Sequence, residues 1–119
     1  MRRPYNPRFS SYRKYGNRKV EVDGIKFDSK HEADIYLQLK LMERGGAIRH
    51  LRLQVPFELQ SGFELNGKKI RAIKYIADFV FVNSEGKTEV WDAKGMKTDV
   101  YLLKKKLFEF RYRIEIKEV

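Results

Sequence analysis

Tyr75-Ile76-Ala77-Asp78-Phe79-Val80-Phe81-Val82, followed by Asn83-Ser84-Glu85-Gly86 and then Lys87-Thr88-Glu89-Val90-Trp91-Asp92-Ala93-Lys94-Gly95, is the stretch whose reading decides the fold. Its first eight residues are almost continuously apolar, as in a strand covered on both faces, and such a strand belongs at the centre of a sheet. An ionised carboxylate at Asp78 is costly there unless it is paired or bound to a cation. The turn fits a three-residue hairpin loop, Ser84-Glu85-Gly86, with Gly86 in the left-handed position. That loop sets Asn83 opposite Lys87 and, counting back along both strands, Asp78 opposite Asp92. Opposed residues point to one face with Cβ atoms roughly 4.5 to 5.5 Å apart. Lys94 shares that face because strand side chains alternate. A loop one residue shorter or longer would turn Asp78 and Asp92 to opposite faces. Two carboxylates so placed destabilise a sheet unless one is protonated or a cation lies between them. Hard oxygen donors beside an ammonium suit Mg²⁺, with Mn²⁺ able to substitute. The plain alternative is a salt-bridged patch.

Working outward, the spacing predicts a long strand over 70–82 and a second over 87–94. Upstream, Val20 to Phe27 alternates around Asp23-Gly24, the signature of a small hairpin. A helix is expected from Ser29 to about Arg44, stopped by Gly45-Gly46 and, with Ala33, Ile35, Tyr36, Leu37, Leu39, Leu41 and Met42 around it, largely buried. Ile48 to Phe57 reads as a strand that Pro56 places at an edge or end, and Asn66-Gly67 marks another turn. Downstream, Thr98 caps a helix through about Tyr112, with Val100, Leu103, Leu107 and Phe110 on one stripe and Lys104, Lys105 and Lys106 on its exposed side. A last strand follows over 113–119.

The 119 residues suffice for one compact domain, taken as 20–119 and preceded by a basic aromatic arm over 1–19. The net charge is +10, and the arm holds Arg2, Arg3, Arg8, Arg13, Lys14, Arg18 and Lys19 with no acid. Tyr5, Phe9, Tyr12 and Tyr15 lie between those bases, a mix suited to neutralising phosphates and stacking on nucleobases, or equally to a solubilising tail. Lys104 and Lys105 are further candidates for DNA contact, against the reading of a solvated face. There is no cysteine, which removes disulfides and thiolate chemistry and fits a reducing cytoplasm. No apolar run approaches the length of a membrane span, and no signal peptide is legible. Glu32 lies three residues after Ser29, the spacing of a helix capping box, or alternatively brings a third carboxylate to the metal. His31 and His50 stand alone and are assigned no ligand role.

Together, Ser29-Lys30-His31-Glu32-Ala33, Tyr75-Ile76-Ala77-Asp78-Phe79 and Val90-Trp91-Asp92-Ala93-Lys94-Gly95 resemble the pattern of the PD-(D/E)XK nuclease superfamily. More closely, residues 14–119 resemble a family of small phage and prophage proteins assigned to that superfamily. The order of elements is similar to that of transposon end-cleaving and very-short-patch repair nucleases. The resemblance implies an α/β protein with a restriction-endonuclease-like mixed sheet, an α-β-β-β-α-β core. It also implies Mg²⁺-dependent hydrolysis of DNA phosphodiesters in the bacterial host cytoplasm. Carried over by position, Glu32, Asp78, Asp92 and Lys94 are the catalytic residues, with Asp78, Asp92, Glu32 and the Ala93 carbonyl on the metal. Gln54 matches a polar position of related nucleases. Ile76-Ala77 stands where the name-giving proline would be, and the second acid is aspartate instead of the commoner glutamate. By analogy with small phage nucleases, the expected substrate is branched DNA of the Holliday-junction type, cut by a homodimer in recombination or packaging. A sequence- or end-specific nickase and a non-catalytic DNA-binding accessory protein are the competing expectations.

Overall fold

The computed structural model describes residues 19–93 and 97–119, so the basic arm, apart from Lys19, and Lys94 lie outside the described residues. The chain divides into two compact units, residues 1–38 and 39–119.

In the first unit, β1 (Val20–Val22) and β2 (Ile25–Phe27) pair antiparallel. The turn between them places Asp23 (φ 54°) and Gly24 (φ 77°) in left-handed conformations, the geometry that the Asp-Gly pair predicts. Helix α1 (Lys30–Arg44) starts in this unit and ends in the second. Ser29 Oγ accepts the Glu32 amide N–H at 3.1 Å, which satisfies one of the helix's orphan donors. The Tyr36 hydroxyl donates to Asp23 at 3.0 Å, and its ring lies 5.0 Å from that of Phe27, tying the helix to the hairpin. The expectation of a helix buried around much of its circumference is corrected. Ala33, Tyr36 and Leu39 are buried, but Leu37 and Leu41 are exposed, so one stripe is covered and the other faces water.

The second unit is built on a four-stranded sheet in the order β3 (Arg49–Gln60), β6 (Ile73–Val82), β7 (Thr88–Asp92), β8 (Ile116–Glu118). The first three strands are antiparallel, and β8 joins parallel to β7. A parallel neighbour needs a crossover, which α2 (Asp99–Tyr112) provides. With the short hairpins set aside, the order is helix, three strands, helix, strand. Pro56 sits on the edge strand, where a missing N–H is tolerated. The strand predicted over 70–82 is broken: β4 (Phe63–Leu65) and β5 (Lys68–Ile70) form a separate two-stranded ribbon between β3 and β6. Gly62 makes that ribbon possible, because a Cβ there would lie 2.9 Å from the Ile70 carbonyl oxygen.

Helix α2 begins with Thr98, whose hydroxyl oxygen accepts the Tyr101 N–H, and ends at Arg113 in a left-handed cap. Its buried face is not the one the sequence predicts. Tyr101 and Phe108 are buried and Tyr112 packs beside them, while Val100, Leu103, Leu107 and Phe110 are exposed, Phe110 by 72%. The helix is thus rotated so that its aromatic stripe meets Tyr75, Ala77, Val80, Val90 and Ile116 of the sheet. Aromatic rings bury more area than aliphatic side chains, and three pack closely here, with Phe57, Phe108 and Tyr112 centroids 4.9 to 5.2 Å apart. Lys104 and Lys105, placed on the exposed side by the sequence, are instead only half exposed. Among the described residues no helix is long and apolar enough to cross a membrane.

Candidate active site

The β6–β7 hairpin has the register that its loop predicts: Val82 opposes Thr88, Phe81 Glu89, Val80 Val90 and Phe79 Trp91. Asn83 fixes it. Its backbone N–H donates to the Lys87 carbonyl at 2.8 Å, its side-chain oxygen accepts the Glu85 and Lys87 amides, and Gly86 takes φ 80°. The ladder ends at Phe79 and Trp91, and the next residues along the two strands are Asp78 on β6 and Asp92 on β7. Regular pairing stops there, and Asp78 Oδ2 instead accepts the backbone N–H of Ala93 at 2.8 Å. The two acids and the first residue beyond β7 thereby share one end of the hairpin.

The alternation of side chains slips at this same point. Tyr75, Ala77 and Val80 all belong to the cluster under α2, although residues 77 and 80 of a regular strand point to opposite faces. On β3, Val55 and Phe57 pack on that cluster, whereas Leu53 opposes Phe79 outside it. Between them Gln54 has φ 51°, an unfavourable conformation for a residue with a Cβ. Gln54 is opposite Asp78, and its Nε2 donates to Asp78 Oδ1 at 3.1 Å. The strain, roughly 1 to 3 kcal/mol, is stored beside the carboxylate.

Asp92 is fully buried. Its Oδ2 accepts a 2.6 Å hydrogen bond from the Tyr75 hydroxyl, and its backbone carbonyl accepts the Val119 N–H. Burial, and then the hydrogen bond to the Asp92 carboxylate, push the Tyr75 hydroxyl far above the ordinary tyrosine range, in keeping with its role as the donor. Tyr101 is raised likewise, by burial first and then by its bond to Glu118. Glu118, the parallel neighbour of Asp92, takes Lys97 at 3.0 Å and Lys105 at 3.2 Å, and the Tyr101 hydroxyl at 2.8 Å. The hydrogen bond from Lys97, then those from Tyr101 and Lys105, hold its carboxyl down at about 2, against burial. Lys105 is therefore tied to Glu118 at this edge of the sheet.

Of the residues expected at the site, Asp78 is hydrogen-bonded to the backbone of Ala93, the chain neighbour of Asp92. Glu32 is buried in the first turn of α1, in the other unit. Lys94 and, in the arm, Arg2, Arg3, Arg8, Arg13, Lys14 and Arg18 lie outside the described residues. Among the described residues no three His, Asp or Glu side chains gather as a metal site. Tyr75 as the partner of Asp92 was not legible, because a tyrosine in an apolar strand reads as core. In the sequence Gln54 stands out only as a polar position, and nothing there pairs it with Asp78.

Residues 12–118 match the family described as Protein of unknown function (DUF1064). The chain belongs to that family. No curated protein and no solved structure matches it. The DUF1064 match spans β1 through β8, so the hairpin acids, Gln54, Tyr75 and Glu32 all lie within the family's extent.

Proposed function

We propose that this DUF1064 chain is a metal-dependent DNA endonuclease with a restriction-endonuclease-like core, acting on branched DNA. The observation that carries the reading is the hydrogen bond from the Ala93 N–H to Asp78 Oδ2, which ties Asp78 to the end of β7 at the residue next to Asp92. The helix, three strands, helix, strand order supports the same core. Both donors are hard oxygens, each already oriented by neutral hydrogen-bond donors, and two carboxylates at one end of a hairpin gain from a divalent cation between them. The donor set fits Mg²⁺ or Mn²⁺, which Asp78 and Asp92 would hold together with the Ala93 carbonyl. When bound, such an ion supplies positive charge to a phosphodiester and its attacking water.

The chain's own residues do the rest. The Tyr75 hydroxyl fixes the rotamer of Asp92, and Gln54 with the Ala93 N–H fixes that of Asp78. Lys94 stabilises the charge that gathers on the phosphate oxygens as water attacks phosphorus and the P–O bond to the leaving strand breaks. A symmetric junction calls for a C2 homodimer with two sites, whereas a nickase works as a monomer.

The test is incubation of labelled four-way junction and matched linear duplex with wild type, Asp78→Ala and Asp92→Asn, in Mg²⁺ or EDTA. Cutting of the junction alone, dependent on metal and lost in both variants, is the expected result. Equal cutting of both DNAs would keep the nuclease and remove the junction. Binding without cutting in any metal would make the chain an accessory DNA-binding protein.

A further inference from the structure

The β3–β6 ladder runs well past the site. Beyond Asp78 it continues through Ala77, Ile76, Tyr75, Lys74 and Ile73, and the β4–β5 ribbon follows, tipped by Asn66 (φ 50°) and Gly67 (φ 77°). Eleven residues separate Asp78 from Gly67, so at about 3.3 Å per residue the tip stands at most roughly 36 Å from the carboxylate.

Residues 61–74 carry four bases, Lys68, Lys69, Arg71 and Lys74, against the single acid Glu64. The rest of residues 20–119 holds fifteen bases and fifteen acids, so the ribbon accounts for the body's whole positive excess. All four bases are on the half of the segment that returns toward Asp78, Lys68 and Lys69 on β5, Arg71 in the link and Lys74 at the start of β6; all are exposed, and none makes an ion pair with a described residue. By contrast Lys105 and Lys97 are paired with Glu118. A two-stranded ribbon also has the width that a DNA major groove admits.

We propose that the ribbon over 61–74 is a DNA-binding arm whose basic strand follows the phosphate backbone of the duplex leading to the Asp78–Asp92 site. This assignment rests on the nuclease reading for its direction along the DNA, but it concerns binding and not chemistry. Phosphate contacts orient a protein on its substrate without reading sequence, which suits a protein that must recognise the shape of a branch.

The experiment uses the full chain in EDTA, so that cleavage plays no part, with fluorescence anisotropy on a labelled four-way junction over a series of salt concentrations. Lys68→Gln, Lys69→Gln, Arg71→Gln and Lys74→Gln are combined in one variant and the first two in another. A control replaces Lys26, Arg44, Arg49 and Lys87, also exposed, by Gln, matching the change in net charge. The fourfold ribbon variant should bind at least tenfold more weakly at moderate salt, and its slope of log affinity against log salt should be shallower by about 3 to 4, near 0.9 per lost contact. The pair at the tip should give about half that change, and the control clearly less than the fourfold variant. A ribbon variant with wild-type affinity and slope, or a control that loses as much, would overturn the assignment while leaving the nuclease proposal intact. Loss of binding in a protein whose wild type never cuts DNA would keep the arm and remove the nuclease.

Discussion

Tyr75→Phe removes one oxygen and little volume, and its effect can be worked from the Tyr75–Asp92 hydrogen bond of 2.6 Å. A hydrogen bond to a charged group contributes roughly 1.5 to 3 kcal/mol. Taking about 2 kcal/mol, and about 4 to 8 °C per kcal/mol for a domain of this size, the variant should melt roughly 8 to 16 °C lower in EDTA. Tyr112→Phe is the control, since its hydroxyl donates at 2.7 Å to the neutral carbonyl of Glu58 and should cost only about 1 kcal/mol. The informative measurement is the same pair of melts in excess Mg²⁺. A cation on Asp92 stabilises the same buried carboxylate that Tyr75 serves, so the deficit of Tyr75→Phe should shrink in metal while that of Tyr112→Phe stays constant. Circular dichroism melts in EDTA, Mg²⁺ and Ca²⁺ suffice. If the two deficits respond alike to metal, Asp92 is not where the cation acts and the reasoning fails.

At Gln54, where φ is 51°, Gln54→Val should destabilise by roughly 1 to 3 kcal/mol, whereas Gln54→Gly should stay within about 1 kcal/mol of wild type; equal denaturation midpoints would remove the strain from the account. Glu118 gives an acid limb. Its folded carboxyl is held at about 2, below the ordinary 4.5, so its stabilisation is fully present above about 4.5 and is lost as pH falls toward 2. Glu118→Gln should therefore melt lower than wild type at pH 7, and the gap should close on acidification; a gap independent of pH would contradict the ion pairs with Lys97 and Lys105. Gly62→Ala should destabilise the ribbon, seen as faster amide exchange over 63–70 with slower change in β6, because the new Cβ meets the Ile70 carbonyl at 2.9 Å; unchanged exchange there would mean that the crossing is looser than described.

The hairpin that joins the two acids was legible because local chemistry specifies it. Asn83 and Gly86 fix a loop of known length, and period-two alternation carries the register as far as Phe79 and Trp91, one residue short of the two acids. The face of α2 was not legible, for a reason visible in its residues. The helix carries two stripes, and hydropathy favours Val100, Leu103, Leu107 and Phe110 over one that includes Lys105. Burial followed the rings of Tyr101, Phe108 and Tyr112 instead, since the hydroxyls of both tyrosines find acceptors in Glu118 and the Glu58 carbonyl. The slip opposite Asp78 was hidden for a related reason: the left-handed residue is Gln54, and nothing about a glutamine announces that conformation.

Surface loops ordinarily accept added or deleted residues, but the turn at Ser84-Glu85-Gly86 is an exception. One residue more or fewer would exchange the two faces of β7, sending Trp91 under α2 and Asp92 to the other side of the sheet. Substitutions at Ser84 or Glu85 that keep the length leave the site standing, so this loop's length is a two-valued variable where the composition of its first two residues is a graded one. A reporter or affinity tag grafted into that turn should abolish the fold's register outright. The same insertion at Asn66-Gly67, where only a ribbon of its own depends on the count, should leave both acids where they are.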